Sequence, residues 1–370
     1  MPNQVKNKNL FYKSKGEFAK NNKTLVKSFR SLQTPQNVAV LLDVEYDKLI
    51  YHIYSSNVDE RYKKFEVYKK SGGIRTITTP VTSLKFIQWK LNQVLNAVYQ
   101  PKPAVHGFTL NKNILTNAQA HVGKRFVLNL DLEDFFPSIN FGRVRGLFMA
   151  PPYQLPAGVA TVLAQICCYD NQLPQGAPTS PIVSNMICAK MDTQLQRLAK
   201  ECRATYTRYA DDITFSTTLR EFPEDLAYPV KTEEGTQFVL GDHLLQIIAE
   251  NGFKINNQKT RLQTKGSHQE VTGLTVNQFP NVKRTYVRQI RAMLYAWEKF
   301  GLQQASQEYY FFYKDYNRLP LKFNNKSSED DFVQVIKGKI EYLGMIRGKQ
   351  DSIYRKYISK FNYLKNYNGR

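Results

Sequence analysis

Three aspartates offer this sequence's clearest chemistry. Asp211 and Asp212 are adjacent in TRYADDITFS, residues 207–216. The run Ile213-Thr214-Phe215-Ser216 alternates apolar and polar residues, and Thr205-Tyr206-Thr207-Arg208-Tyr209 is rich in β-branched and aromatic residues. Both read as strands, which places the two aspartates at the tight turn of a hairpin. Aspartate is common in turns, and by itself the pair needs no other explanation. Asp131 lies far away in sequence, near the end of FVLNLDLEDFF, residues 126–136. Alternation puts Phe126, Leu128, Leu130 and Leu132 on one face of that strand and Val127, Asn129 and Asp131 on the other. If the two strands are neighbours in one sheet, three carboxylates converge. Like charges at short range raise each other's pKa. A pair of Mg²⁺ ions removes that cost, because Mg²⁺ favours a few carboxylates together with phosphate oxygens and water. Two such ions serve in-line phosphoryl transfer, a reaction in which positioning and charge do most of the catalysis.

The elements around these residues suit that chemistry. The chain has 370 residues and a formal net charge of +21, and 42% of its residues are hydrophobic. It is long enough for two or three subdomains around a substantial core. The surplus charge calls for a polyanion, with nucleic acid the first candidate and an anionic membrane surface the second. No apolar run is long enough to span a bilayer, and no secretory leader is evident. Cys167, Cys168, Cys188 and Cys202 lack zinc spacing, which fits a reduced, cytoplasmic setting without a membrane partner. Residues 1–30 read as a basic N-terminal arm or a short helix. Residues 37–55 read as one helix, with Val40, Leu41, Val44 and Leu49 at helical spacing. In FEVYKKSGGIRTITTP, residues 65–80, a Ser-Gly-Gly turn joins two strands. An amphipathic helix is predicted over 83–99, apolar helices over 158–169 and 181–200, and a further helix over 243–253, and helix dominates beyond 285. LREFPEDLAYPVKTEEGTQ, residues 219–237, is the clearest loop.

The order of motifs resembles that of a reverse transcriptase. KKSGGIRTITTP with LKFIQ is similar to the family's first finger motif, and HGF (106–108) with NIL (113–115) to its second. NLDLEDFFPSI (129–139) resembles the motif with the first catalytic aspartate. LPQGAPTSPIVSN (173–185) resembles the nucleotide-pocket motif, YADD (209–212) the double-aspartate turn, and GFKINNQKTR (252–261) the lysine-bearing motif that follows. The resemblance implies an α+β right-hand polymerase with fingers, an antiparallel-sheet palm and a helical thumb. The expected division is a basic arm over 1–30, fingers over 31–125, a palm over 126–281 with a finger segment inserted at about 142–180, and an RNA-binding helical thumb over 282–370. NAQAH (117–121) and VTG (271–273) further resemble marks of the retron branch, bacterial enzymes that make a hybrid RNA–DNA molecule.

By that resemblance, Asp131, Asp211 and Asp212 are the catalytic metal ligands, with the Leu132 carbonyl completing a shell. The ions are two Mg²⁺, for which Mn²⁺ can substitute. Lys259 is either a proton donor to pyrophosphate or a surface lysine. Arg75 with Lys69 or Lys70 would clamp the dNTP triphosphate. Asp134, Phe135 and Phe136 flank the nucleotide, with Phe136 as the sugar gate and Phe135 turned toward the core. Gln175 and Gly176 line the pocket, where Gly176 would allow close approach of the backbone to the nucleotide. Asn117 and His121 are either backbone-fixing or RNA-contacting. Thr272 and Gly273 either hold the primer or form a strand bulge. Arg284, Arg288 and Arg291 belong to a C-terminal segment that interleaves aromatics with cations, as an RNA-binding thumb would. The retron branch implies a structured noncoding RNA as template and primer, priming from a guanosine 2′-OH, an msDNA product, and antiphage defence with a separate effector protein. The rivals are a reverse transcriptase of the group II intron or diversity-generating kind, or a catalytically idle RNA-binding scaffold.

Overall fold

A computed structural model describes residues 21–54, 60–68, 72–232, 235–313 and 325–367. Its centre is a four-stranded antiparallel sheet built from β3 (Phe126–Asp131), β4 (Thr205–Tyr209), β5 (Asp212–Thr217) and β8 (Arg261–Thr264), in the order β4-β5-β3-β8. β3 is central and feels both of its faces. Leu128, Leu130 and Leu132 enter the main core, whereas Val127 enters a second core shared with the C-terminal helices. That split is the alternation read from the sequence, with an all-leucine face toward the main core and Val127, Asn129 and Asp131 on the other.

The main core also holds the helices that precede and interrupt the sheet. α1 (Asn22–Arg30) buries Leu25 and Phe29, and Asn21 caps its start. α2 (Pro35–Leu41) and α3 (Tyr46–Tyr54) stand where a single helix over 37–55 was expected. Asp43 takes a left-handed φ of 50°, which ends the first helix and leaves Val40 69% exposed. The finger hairpin pairs β1 (Tyr62–Tyr68) with β2 (Ile74–Pro80), and α4 (Thr82–Val98) follows as predicted. Lys69 and Lys70 lie outside the described residues. α5 (Ile114–Gln119) precedes β3, and α6 (Phe141–Met149) and α7 (Ala157–Cys167) follow it.

The helix expected over 181–200 is two helices, α8 (Ser180–Ile187) and α9 (Ala189–Glu201), which meet at Cys188. Ser184 Oγ donates back to the Pro181 carbonyl at 2.8 Å, a bond that bends helices. The segment 219–237 was expected to be loop, yet it contributes to a hairpin of β6 (Ala227–Thr232) and β7 (Gly235–Leu240). Pro229 stands inside β6, where proline is ordinarily excluded. It is tolerated because β6 pairs only with β7 and lies in a two-stranded sheet. α10 (Asp242–Glu250) ends before Gly252, whose φ is +70°. A short hairpin of β9 (Glu270–Val271) and β10 (Leu274–Thr275) leads to the C-terminal helices. These are α11 (Arg284–Tyr313), which kinks at Gly301, α12 (Asn325–Arg347) and α13 (Ser352–Tyr367). Trp297, Phe332, Ile336, Leu343 and Phe361 close the second core. No described helix is long and apolar enough to cross a membrane.

Candidate active site

The sheet register brings the distant aspartates together. Asp131 is the last residue of β3 and is paired with Asp212, the first residue of β5. Tyr209 pairs with Asp212, so Ala210 and Asp211 alone make the turn between β4 and β5. Ala210 has a φ of 57°, the positive value a two-residue hairpin turn needs at its first central position. The Leu132 amide donates to the Asp211 carbonyl at 3.1 Å, tying the strand end to the turn. The Asn256 amide donates to the Asp131 carbonyl at 2.8 Å, which brings the lysine-bearing segment alongside.

Asp131 is 8% exposed, and its Oδ1 accepts from Lys259 Nζ at 2.8 Å. Desolvation raises the pKa of Asp211, and the Asp131 charge adds to the rise. Lys259 and Arg75 pull it the other way. Asp212 is pushed up to about 7, first by desolvation and then by Asp211 and Asp131. Asp212 therefore feels the charge of both other aspartates and Asp211 that of Asp131, as convergence requires. Among the described residues, however, no three His, Cys, Asp or Glu side chains are drawn together as a finished metal site. The Asp131 carboxylate is held by the Lys259 ammonium. The ammonium stands where a cation is wanted, and Lys259, Arg75 and Arg261 offset only part of the rise at Asp211 and Asp212. This donor set fits a hard divalent ion, which takes carboxylate and carbonyl oxygens.

Beside the aspartates lies a cleft of about 470 Å³ lined by Asn129, Asp131, Tyr209, Asp212, Lys259, Arg261, Thr272 and Gly273, among others. Thr272 and Gly273 form the β9–β10 turn, with φ of 46° and 81°. That is turn geometry rather than a strand bulge. Thr272 Oγ1 donates to the Ile114 carbonyl at 3.3 Å and accepts from Asn117 Nδ2 at 3.4 Å. The two strings that resembled retron marks thus touch each other at the cleft.

Asn117 and His121 were grouped with RNA-contacting positions, and the structure places both in the interior, 1% and 0% exposed. His121 lies against two hydroxyls, with Nδ1 2.7 Å from Ser216 Oγ and Nε2 2.7 Å from Thr207 Oγ1. Burial lowers its pKa to about 3, so the ring is neutral and cross-links β4 and β5. This is the backbone-fixing alternative. Phe135 is 4% exposed and stacks on Phe253. Phe136 is half-buried, 6.3 Å from Phe108 between ring centroids, and Asp134 is exposed with a φ of 43°.

Gly176 departs from its expected reason. A Cβ there would lie 2.7 Å from the Thr78 carbonyl oxygen, so the missing side chain admits strand β2 rather than a nucleotide. Gln175 beside it is half-buried. Arg75 is exposed on β2. Arg284, Arg288 and Arg291 are exposed on α11. The sequence reading missed a buried network behind the turn, made by Arg208, Asp192, Asn185 and Tyr206. A signal was available, because Asp192 sits on the apolar stripe of its helix with Leu195 and Ala199.

Residues 67–346 match the family model described as "Reverse transcriptase (RNA-dependent DNA polymerase)". The chain belongs to the reverse transcriptase family, in its retron-type branch. It is 38% identical over 261 residues to the Retron Ec86 reverse transcriptase of Escherichia coli, covering 70% of this chain and 75% of that one. Two proteins of Myxococcus xanthus are also similar. The Retron Mx162 reverse transcriptase is 36% identical over 71% of this chain, and the Retron Mx65 reverse transcriptase 37% identical over 71%. The chain spans 59% and 62% of the length of those two relatives.

Proposed function

We propose that this protein is the RNA-directed DNA polymerase of a retron, which copies part of a structured noncoding RNA into msDNA. The observation that carries the reading is the pairing of Asp131 with Asp212, with Asp211 in the adjoining two-residue turn. Asp131, Asp211, Asp212 and the Leu132 carbonyl would hold Mg²⁺, or Mn²⁺ in its place. When bound, the two ions lower the pKa of the attacking hydroxyl and stabilise the leaving oxygen. Lys259, already at Asp131 with its side chain 61% exposed, is placed to neutralise and then protonate pyrophosphate. Arg75 offers a planar fork to the dNTP triphosphate. Phe136, propped by Phe108, sets a ring where a ribose 2′-OH would collide. Gln175 and the β2 strand that rests on Gly176 frame the nucleotide pocket.

The proposed division is fingers over 31–125, a palm over 126–281 with residues of about 142–180 returning to the fingers, and a thumb from 282. The thumb cations, including Arg284, Arg288 and Arg291, would hold the RNA stem. The retron branch adds a guanosine 2′-OH as primer and a separate effector protein in antiphage defence. The similarity to retron reverse transcriptases of Escherichia coli and Myxococcus xanthus supports the branch.

The test is primer extension on an RNA template with dNTPs. The variant combining Asp211→Asn and Asp212→Asn should keep the wild-type circular dichroism spectrum and lose incorporation by about a thousandfold or more, the scale of charge stabilisation in such sites. Full activity in that variant would overturn the reading, and an inactive wild type that still binds RNA would favour a scaffold. For the gate, Phe136→Ala should raise rNTP use relative to dNTP. Unchanged sugar selectivity would remove Phe136 from that role.

A further inference from the structure

Behind the catalytic turn lies a charged network that no motif accounts for. Arg208 and Asp192 are both 0% exposed. Arg208 Nε and Nη2 donate to the two carboxylate oxygens of Asp192 at 2.7 and 2.8 Å. Tyr206 Oη donates to the same carboxylate at 2.7 Å. A paired, fork-to-fork geometry of this kind fixes the guanidinium plane. Fixed in that way, Arg208 makes two further bonds. Nη1 donates to the Ala210 carbonyl at 3.0 Å, and Nη2 donates to Asn185 Oδ1 at 3.2 Å.

Asn185 passes the contact on. Its Nδ2 donates to the Gly107 carbonyl at 3.0 Å. The His106 amide in turn donates to the Arg208 carbonyl at 2.8 Å. Gly107 lies directly against the turn, where an added Cβ would sit 2.3 Å from the Ala210 nitrogen. Ala210 is therefore held from two sides, by the guanidinium on its carbonyl and by bare backbone at its amide. It needs holding, because a φ of 57° disfavours an alanine. The next residue is Asp211.

We propose that Arg208 and Asn185 are positioning residues for Asp211, and that with Gly107 they clamp the turn in its strained conformation. A buried ion pair alone is weak evidence of stabilisation, since hydrophobic residues can replace many such pairs. What marks this one is the bond it sends to the catalytic turn. The inference rests on the polymerase reading above.

Two variants and one orthogonal push test it. Arg208→Lys keeps a cation for Asp192 but loses the fork that reaches Ala210. Asn185→Ser removes a strut without unpairing a buried charge, and it serves if the lysine variant does not fold. Gly107→Ala pushes the same turn with the network intact. In folded protein, the maximal primer-extension rate should fall about tenfold or more, as small misplacements at a reacting centre do. The KM for dNTP should stay within about threefold, because ground-state binding is untouched. Mn²⁺ binding to the protein without nucleic acid, followed by the paramagnetic resonance of free Mn²⁺, should weaken about tenfold, as loss of outer supports does. Combining Gly107→Ala with Asn185→Ser should cost less than the product of the single losses, because both act on one turn. A variant with a lowered melting temperature but wild-type extension rate and Mn²⁺ affinity would overturn the proposal and leave the network purely structural. An inactive wild type would count against the polymerase reading instead, and the Mn²⁺ titrations of the variants would still decide whether the clamp positions Asp211.

Discussion

Asp212 meets opposing demands. Its side chain opens to the cleft, yet protein atoms and two carboxylates crowd it, and its pKa stands at about 7 against an ordinary 3.8. The sign of the consequence follows from linkage. Below about pH 4 the folded and unfolded chains both keep this proton. As pH rises toward 7, the unfolded chain releases it and the folded chain holds it, so stability falls through that window. Above about 7 the penalty is complete and constant. Asp212→Asn removes the group, so the variant's stability advantage should be absent near pH 4, grow toward pH 7 and then level off. Solvent at the cleft mouth screens part of it. Urea unfolding of both proteins at several pH values in EDTA checks the trend, and an advantage that shrinks with rising pH would contradict it. Adding Mg²⁺ should raise the wild-type melting temperature and leave the double Asn variant unmoved. The acidic triad was legible in the sequence because a second acidic strand end at Asp131 and the order of the motifs added to a pair that alone reads as an ordinary turn. Arg208 was not, since it lies on β4 and its partner Asp192 on helix α9, and only packing pairs them. His121 was half legible: spacing put it on the face of Asn117, but burial alone chose between its two roles.

Among elements, the finger hairpin is seated in part by one close approach. β1 and β2 form a two-stranded sheet, which is marginal in water without outside support. Part of that support is the seat of β2 on Gly176, where the Thr78 carbonyl leaves no room for a Cβ. Gly176→Ala should therefore act on the fingers rather than on the aspartates. We expect faster amide exchange across 62–80 and a dNTP KM raised about tenfold, with the maximal extension rate within about twofold, the pattern of lost ground-state binding. Unchanged exchange in the hairpin would reject this account. The hairpin itself was readable from Ser71-Gly72-Gly73, and α4 from its apolar stripe. The breaks at Asp43 and Cys188 were not, because one left-handed residue, or a junction that itself stays near helical angles, does not disturb the surrounding hydrophobic period. β6 was hidden by Pro229, whose meaning depends on whether the strand has one neighbour or two.

For the molecule as a whole, the charge of +21 and the placement of the acids work together. Asp131 and Asp212 line one cleft, whereas Arg284, Arg288 and Arg291 stand exposed along α11. The second core joins that helix to the sheet through Val127, so an RNA bound along α11, as proposed, would keep a fixed relation to β3. Binding should then be governed by release of counterions from phosphates. Each cation on a phosphate contributes roughly 0.7 to 0.9 to the slope of log affinity against log salt. Replacing the three arginines with alanine should flatten the slope by about 2 if all three contact phosphate. Affinity should fall at low salt and converge on the wild type at high salt. Filter binding of a structured RNA from 50 to 300 mM KCl, roughly the range over which such slopes are measured, reads this directly. The combination of Asp211→Asn and Asp212→Asn should leave the slope unchanged or affinity slightly higher, since it removes negative charge from the cleft. A triple arginine variant with the wild-type slope would mean that the RNA lies elsewhere on the basic surface, and that the thumb sequence, rich in aromatics and cations, chiefly builds its own core.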